Sequence, residues 1–144
     1  EEVYLNGHVA AVAASERNAA AVKAMDETKG VGLLVAIGVL LEMGDPARFR
    51  NRRELGSYTG LTPSSHESGE ASDRKGHITR QGPGRVRKVL NQAVWSRLRT
   101  TSEAQAKFER IAEKNPKHKK KAVVALMREL GIAMWHKAVD ALAA

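Results

Sequence analysis

A polar segment in the middle of the chain, SSHESGEASDRKGHITRQGPGR from Ser64 to Arg85, most strongly limits what this sequence can fold into. It holds serines, glycines, a proline and charges of both signs, and its one sizeable apolar side chain is Ile78. Such a composition predicts a loop, because nothing in it can fill a core. The core must therefore come from the residues on either side, with an extended or hairpin excursion allowed inside the loop.

The flanking regions repeat their apolar residues at helical spacing, and no alternating strand pattern of useful length is present. This predicts an all-α fold in which glycine and proline end the helices, as Gly44 and Pro46 do after the apolar run. We predict six helices, at about residues 3–25, 33–43, 46–60, 84–98, 102–113 and 119–144. The short third helix should turn Phe49, Leu55 and Tyr58 inward.

The apolar content indicates which residues are buried. The run VGLLVAIGVLL, residues 31–41, is too short for a bilayer span of about 20 residues, so we expect a buried helix and no membrane partner. Trp95 and Trp135 lie among apolar helical residues, which predicts that both belong to the core. A length of 144 residues suits about one domain.

The residue types exclude several chemistries. Cysteine is absent, which excludes disulfides, thiolate nucleophiles and cysteine-based zinc sites, and fits a reducing compartment such as the cytoplasm. The five histidines have no ligand spacing, so we expect no metal site or cofactor in these residues.

Positive charge is concentrated in the middle of the chain. Residues 45–121 carry 19 Lys and Arg against eight Asp and Glu, whereas residues 1–44 carry three against six. A basic surplus confined to one segment is typical of a surface that binds a polyanion. The alternative is that the lysines only keep an alanine-rich protein in solution.

The first candidate site is TKGVG, residues 28–32, between the first two predicted helices. Gly30 and Gly32 permit a tight turn and let backbone N–H groups at the start of the next helix approach a phosphate, with Lys29 beside them. This arrangement is similar to a helix-hairpin-helix, which binds nucleic-acid backbones without sequence preference. Any connection between two helices can also use two glycines.

The second candidate site is the polar loop with the arginine-rich helix that follows it. In the loop Ser68 precedes Gly69, and cationic residues follow from Arg74 onward. A serine that attacks a phosphodiester needs cations to stabilise the charge on the phosphoryl oxygens, and a proton acceptor, for which His66 is a candidate. Ser-Gly is also an ordinary turn dipeptide.

The order of several motifs resembles one known family. These motifs are the glycine turn, GDPARF, LGSYTGLTP, SG followed by ITRQG, and the arginine helix leading to NQAVW. Together they are similar to the C-terminal transposase domain of DEDD-type insertion-sequence transposases, the group of Piv-like DNA invertases and bridge-RNA-guided recombinases. The resemblance covers about residues 25–135.

The resemblance implies roles for individual residues. Ser68 matches the serine that becomes covalently joined to DNA during strand exchange, and Ser65 ranks second because the spacing after Pro63 varies. The basic residues around it correspond to those expected to grip phosphates of DNA or a guide RNA. Our predicted nucleic-acid contacts are Lys29, Gly30, Gly32, Arg74, Lys75, Arg80, Arg85, Arg87 and Lys88.

The resemblance also implies parts that these residues do not supply. Relatives carry an N-terminal RuvC-like domain whose acidic tetrad holds Mg²⁺, and no such pattern occurs here, so we expect a fragment of a longer bacterial or archaeal cytoplasmic protein that is inactive alone. Residues 1–25 would then be a connecting, coiled-coil-like helix and residues 26–144 the serine domain. The whole protein would be a homo-oligomer.

Two functional hypotheses follow. The first is a DNA-binding, serine-nucleophile domain of a transposase or recombinase. The second is a non-catalytic helix-hairpin-helix module that binds nucleic acid, in which Ser68 is only a turn residue.

Overall fold

The computed structural model describes residues 16–65, 75–113 and 116–143, and these are dominated by helices, so the predicted all-α class is confirmed. The α-helices are α1 (Glu16–Asp26), α2 (Leu33–Met43), α3 (Arg52–Thr59), α4 (Gly84–Thr100), α5 (Ser102–Ala112) and α6 (Lys119–Ala143). Two short strands, β1 (Pro63–Ser65) and β2 (Lys75–Ile78), form a small antiparallel sheet within the polar loop. One-turn 3₁₀ helices cover Pro46–Arg48 and Pro116–His118.

The longest helix, α6, lies at the centre of the core. Its buried residues run from Ala122 to Ala138, and it packs against α1, α4 and α5. Small side chains let its neighbours come close: the Cα of Gly131 lies beneath Leu90 of α4, where an added Cβ would lie 3.3 Å from a leucine methyl carbon. Burial of such apolar faces supplies most of the driving force for folding, since helix propensity alone contributes little.

Helices α2 and α4 run antiparallel to each other. Arg97, near the end of α4, donates to the carbonyl of Lys29 just before α2, whereas Glu42 at the end of α2 approaches Arg85 at the start of α4. Between these ends the Cα of Gly38 packs against Val89. The pairing places the glycine turn at one end of α4 and the polar loop at the other.

Helix α1 belongs to the same core. Its residues Ala21, Val22 and Met25 are buried, and it packs on α6 and α2. The predicted helix from residue 3 begins outside the described residues. A connecting helix over residues 1–25 stays a prediction, and the last of those residues pack as part of the core.

The segment between α2 and α3 is held against α6 by a buried hydrogen bond. The indole Nε1 of Trp135 donates to the carbonyl oxygen of Pro46 at 2.8 Å. The single helix predicted for residues 46–60 is wrong, because the chain forms a 3₁₀ turn and starts α3 only at Arg52, where the Asn51 side chain accepts from two backbone N–H groups. Leu55 is buried as predicted, but Phe49 and Tyr58 are only half-buried.

Two burial predictions are also wrong. The side chain of Trp95 is 47% exposed and contacts Phe108 of α5, with ring centroids 6.5 Å apart. Trp135, by contrast, is buried as predicted. Helix α2 is buried along one face only, because Leu34 and Leu41 are about 60% exposed on the other. Within the described residues, no helix is long and apolar enough to cross a membrane.

Candidate nucleic-acid interface

The two strands bring the ends of the serine-bearing segment side by side. Pro63 pairs with Ile78 and Ser65 with Lys75, and the backbone N–H of Thr79 donates to the carbonyl of Thr62 at 3.0 Å. This paired stem, residues 63–65 and 75–78, confirms the hairpin excursion that the sequence allowed. The predicted nucleophile Ser68, its neighbour His66 and the predicted phosphate contact Arg74 lie outside the described residues, and so does any geometry between them.

The stem is anchored to the C-terminal end of α3 by close backbone contacts. Gly60 ends α3 in the left-handed conformation (φ 70°), and its carbonyl accepts from the N–H of Arg80 at 3.1 Å. Gly82 also has a positive φ, 85°, and a Cβ there would collide with the carbonyl of Tyr58. Only glycine combines this conformation with such a close approach. The loop therefore returns to α4 along a fixed path.

Arg87 closes the same junction from α4. Its Nη1 donates to the carbonyl of Thr59 at 3.1 Å and to that of Gln81 at 3.2 Å. The sequence predicted a phosphate contact for this residue, and part of its guanidinium instead binds the protein backbone. Arg87 thereby positions the start of α4 and the end of the loop; its contact with phosphate stays a prediction.

Other predicted cations at this junction face solvent. The side chain of Arg85 is 89% exposed and lies 3.8 Å from the carboxylate of Glu42, a distance at which an exposed pair contributes little. Lys88, three residues further along α4, is exposed on the same face of that helix. Arg80, two residues after the stem, is also exposed. Lys75 lies on β2, and its side chain is outside the described residues. Arg85, Lys88 and Arg80 could therefore meet a phosphate backbone without first breaking a strong ion pair among the described residues.

The glycine turn forms a separate location. Gly30 has a positive φ and leaves room for Arg97. Gly32 is the N-cap of α2 and has no side chain, so it cannot cap the first N–H groups of α2, which have no partner within the helix. Lys29 is exposed. From Arg97 back to Arg85 along α4 is about 18 Å at 1.5 Å per residue. The structure therefore does not bring the two predicted phosphate-binding regions together, and the phosphate role of the turn stays a prediction.

A third cationic feature lies beside α3 and was missed by the sequence analysis. The Arg48 guanidinium lies over two aromatic rings, 4.6 Å from the centroid of Phe49 and 4.5 Å from that of Tyr58. Next to it is an open cleft of about 490 Å³, called here the Arg48 cleft. It is lined by Arg48, Phe49, Asn51, Arg53, Glu54 and Ser57. The sequence signal was the Arg48-Phe49 pair one residue after Gly-Asp-Pro, with a second aromatic residue, Tyr58, nine positions later.

The carboxylate in this cleft is held in its charged form. The backbone N–H of Arg50 donates to Glu54 at 2.8 Å, and its side-chain Nε donates at 2.7 Å. These hydrogen bonds, the backbone one first, lower the pKa of Glu54 below its ordinary value, against a smaller opposing effect of desolvation. Glu54 is therefore a hydrogen-bond acceptor at neutral pH.

The described residues do not suit a divalent metal. Within residues 16–65, 75–113 and 116–143, no three His, Asp or Glu side chains come together as metal ligands would. The Mg²⁺ implied by the sequence resemblance belongs, on that resemblance, to a different domain, and no chemistry of these residues is derived through it.

Comparison with known proteins shows which family and which relatives the chain is similar to. The family described as "Transposase IS116/IS110/IS902 family" matches residues 22–109, more than half of the chain. A protein of Sinorhizobium fredii named as a transposase, y4qE, is 40% identical over 78 residues, which cover 54% of this chain and 20% of that protein. The pilin gene-inverting protein of Moraxella bovis is 30% identical over 101 residues, 70% of this chain and 31% of that protein. The chain thus spans between a fifth and a third of the length of these relatives.

Proposed function

The chain belongs to the transposase IS116/IS110/IS902 family, and from that membership we propose that it is the DNA-binding, serine-nucleophile domain of a DNA recombinase of the DEDD type. The observation that carries the proposal is the junction between α3, the paired stem and α4. There α4, whose first turns carry exposed cations, begins six residues after the stem of the segment that contains Ser68. The serine nucleophile and the cations that neutralise the DNA phosphates would then belong to the same part of the fold, the junction of α3, the stem and α4.

The chemistry follows from the residue types. The Ser68 hydroxyl attacks the phosphorus of a phosphodiester, a bond forms between Oγ and phosphorus, and the displaced deoxyribose oxygen leaves with a proton. Attack by a second DNA hydroxyl on the serine–phosphate bond rejoins the strands and frees the serine. Arg85, Lys88 and Arg80 hold the flanking phosphates, because exposed cations bind the backbone of either strand without reading its sequence.

The remaining components belong to the longer protein. We place the metal-binding carboxylates in a separate RuvC-like domain, which supplies Mg²⁺ chemistry when present, and we expect a homo-oligomer that brings two DNA duplexes together. A guide RNA is a further candidate ligand, since a grip on phosphates does not by itself distinguish RNA from DNA. Such a protein would act in the cytoplasm of a bacterium or archaeon.

The alternative is a non-catalytic nucleic-acid-binding module. The observation that favours it is the exposed glycine turn, where Lys29 and the uncapped start of α2 are accessible at the end of α4 remote from the stem. In that case Gly30 and Gly32 serve a helix-hairpin-helix contact with phosphates, and Ser68 only shapes a turn.

One substitution separates the two functions. In the full-length protein with its nucleic-acid components, Ser68→Ala should abolish recombination and covalent protein–DNA adducts while DNA affinity stays within about twofold, since a hydroxyl adds little to a charge-driven contact. Ser65→Ala is the matched control and should retain both activities. Normal recombination by the Ser68 variant would refute the assignment of Ser68 as the nucleophile.

The grip is tested on the isolated chain. Reversing the charges of Arg85 and Lys88 to glutamate should weaken binding to unrelated DNA duplexes and reduce the steepness of its salt dependence by about two phosphate contacts. Reversing two exposed cations elsewhere, Arg110 on α5 and Lys120 on α6, removes the same net charge and is the control. An equal loss of DNA affinity in both variants would refute the assignment of the DNA contact to Arg85 and Lys88.

A further inference from the structure

We propose that the Arg48 cleft binds an unpaired nucleobase of a single-stranded segment, with the base stacked on the Arg48 guanidinium. The inference rests on the proposed function, because it names a second part of the nucleic acid that the same protein would contact. It adds a form of recognition that the phosphate grip on α4 does not supply.

The first argument is the state of the guanidinium. Arg48 is exposed, and one face of its planar group lies over Phe49 and Tyr58, whose centroids are 5.3 Å apart. Because the Arg48 side chain is exposed as well as in contact with the two rings, part of the guanidinium is accessible to a ligand. Among the residues that the structure describes, Arg48 is in no ion pair. A flat, weakly hydrated cation that a ligand can reach is a surface on which nucleobases stack.

The second argument is the lining of the cleft. The cleft is shallow and open, so a base can reach it from solvent without any rearrangement of the fold. Beside the stacking surface it offers both hydrogen-bond acceptors and donors, from the Glu54 carboxylate, the Asn51 amide and the Ser57 hydroxyl. A base edge needs such a mixture, whereas a phosphate needs donors only.

The third argument is the acceptor in the cleft. Two donations from Arg50 hold the Glu54 carboxylate in place, and its two oxygens still have lone pairs that can accept further hydrogen bonds. The same carboxylate can accept from the amino or imino group of a base. Arg53, exposed at the rim and without an ion pair among the described residues, is placed to meet the phosphate of the same nucleotide.

The fourth argument is that the stacking surface is held before any ligand arrives. Trp135 fixes the carbonyl of Pro46, and Asp45 accepts from the N–H of Ala47 at 3.0 Å, so the turn that carries Arg48 is fixed at its start. On the other side the hydroxyl of Tyr58 donates to the carbonyl of Glu42 at 2.6 Å. A pre-ordered surface loses less entropy when a base stacks on it.

The test uses the 144-residue chain and three labelled probes of equal length: oligothymidylate, an oligomer of abasic nucleotides with the same phosphates, and a DNA duplex. Fluorescence anisotropy measures the dissociation constants. The wild-type chain should bind oligothymidylate about tenfold more tightly than the abasic oligomer, the scale of one base stack. Arg48→Lys keeps the charge and loses the flat group, so it should remove this preference and leave abasic and duplex binding unchanged.

Arg110→Lys, the same substitution at an exposed arginine on α5, is the matched control and should keep the preference. Thermal melting of both variants checks that each is folded. Equal wild-type affinity for the base-containing and abasic probes would overturn the base site, and so would a preference that survives in Arg48→Lys. If the base site fails but the wild-type chain still binds the duplex, and charge reversal at Arg85 weakens that binding, only the base site is withdrawn. If the wild-type chain binds none of the three probes, the proposed function is withdrawn as well.

Discussion

Trp135→Phe should destabilise the protein far more than the same change at Trp95. The indole of Trp135 is 6% exposed and donates to the buried carbonyl of Pro46 at 2.8 Å. Phenylalanine leaves that carbonyl without its donor, at a cost of about 1–3 kcal/mol. The missing atoms of the indole leave a cavity that adds about 1 kcal/mol. The expected loss in the free energy of unfolding is therefore about 2–4 kcal/mol.

Trp95 provides the matched control. Its side chain is 47% exposed and contacts Phe108 only at the distance of a loose ring pair, so Trp95→Phe should cost less than about 1 kcal/mol. The two losses differ by about 1–4 kcal/mol, so at about 3 °C per kcal/mol for a chain of this size the melting temperatures should differ by roughly 3–12 °C. Circular dichroism during heating, supported by urea titration, measures both values. Equal losses, or a Trp135 variant as stable as the wild type, would refute the anchoring role of this hydrogen bond.

Two further predictions follow from the junction and the cleft. Gly82→Ala forces a positive φ on alanine and a collision with the Tyr58 carbonyl. The free energy of unfolding should therefore fall by at least about 2 kcal/mol. A variant as stable as the wild type in urea titration would contradict the close approach. Glu54→Gln removes a carboxylate whose pKa is lowered in the folded protein, so its stabilising effect should be present near neutral pH and disappear as pH falls through that lowered pKa. Melting temperatures of wild type and variant should converge in acid, and a difference that grew with acidity would contradict the assignment.

The helices could be predicted from the sequence because their signals are local. Gly32 and Gly44 flank the apolar run, and the helix between them has the predicted bounds, Leu33–Met43. The spacing of apolar residues likewise predicted α4 and α6, since each buries one stripe. The burial of α2 was overestimated for a related reason. A run that is apolar all round carries no periodicity, so the sequence could not show that Leu34 and Leu41 lie on an exposed face.

The orientation of single side chains depended on tertiary neighbours. Trp95 follows Val86 by nine positions, which is about 180° around an α-helix, so strict spacing would have placed it opposite the buried face. Arg87 looked like one more surface arginine, and only the fold brings the carbonyls of Thr59 and Gln81 within its reach. The stack of Arg48 on Tyr58 joins residues on separate elements, and no local pattern encodes it.

Tyr58 connects the cleft to the junction, and this connection gives the two proposed contacts a fixed relation. Its ring supports Arg48, its hydroxyl binds the end of α2 beside Arg85, and its carbonyl lies against Gly82 where the loop returns to α4. Shifting any one of these contacts would move the others, because all three act on one residue near the C-terminal end of α3. A base stacked in the Arg48 cleft and phosphates held on α4 would therefore place a nucleic acid at a constant position relative to the paired stem. The segment that carries Ser68 starts and ends at that stem, which connects the proposed serine chemistry to the same bound nucleic acid.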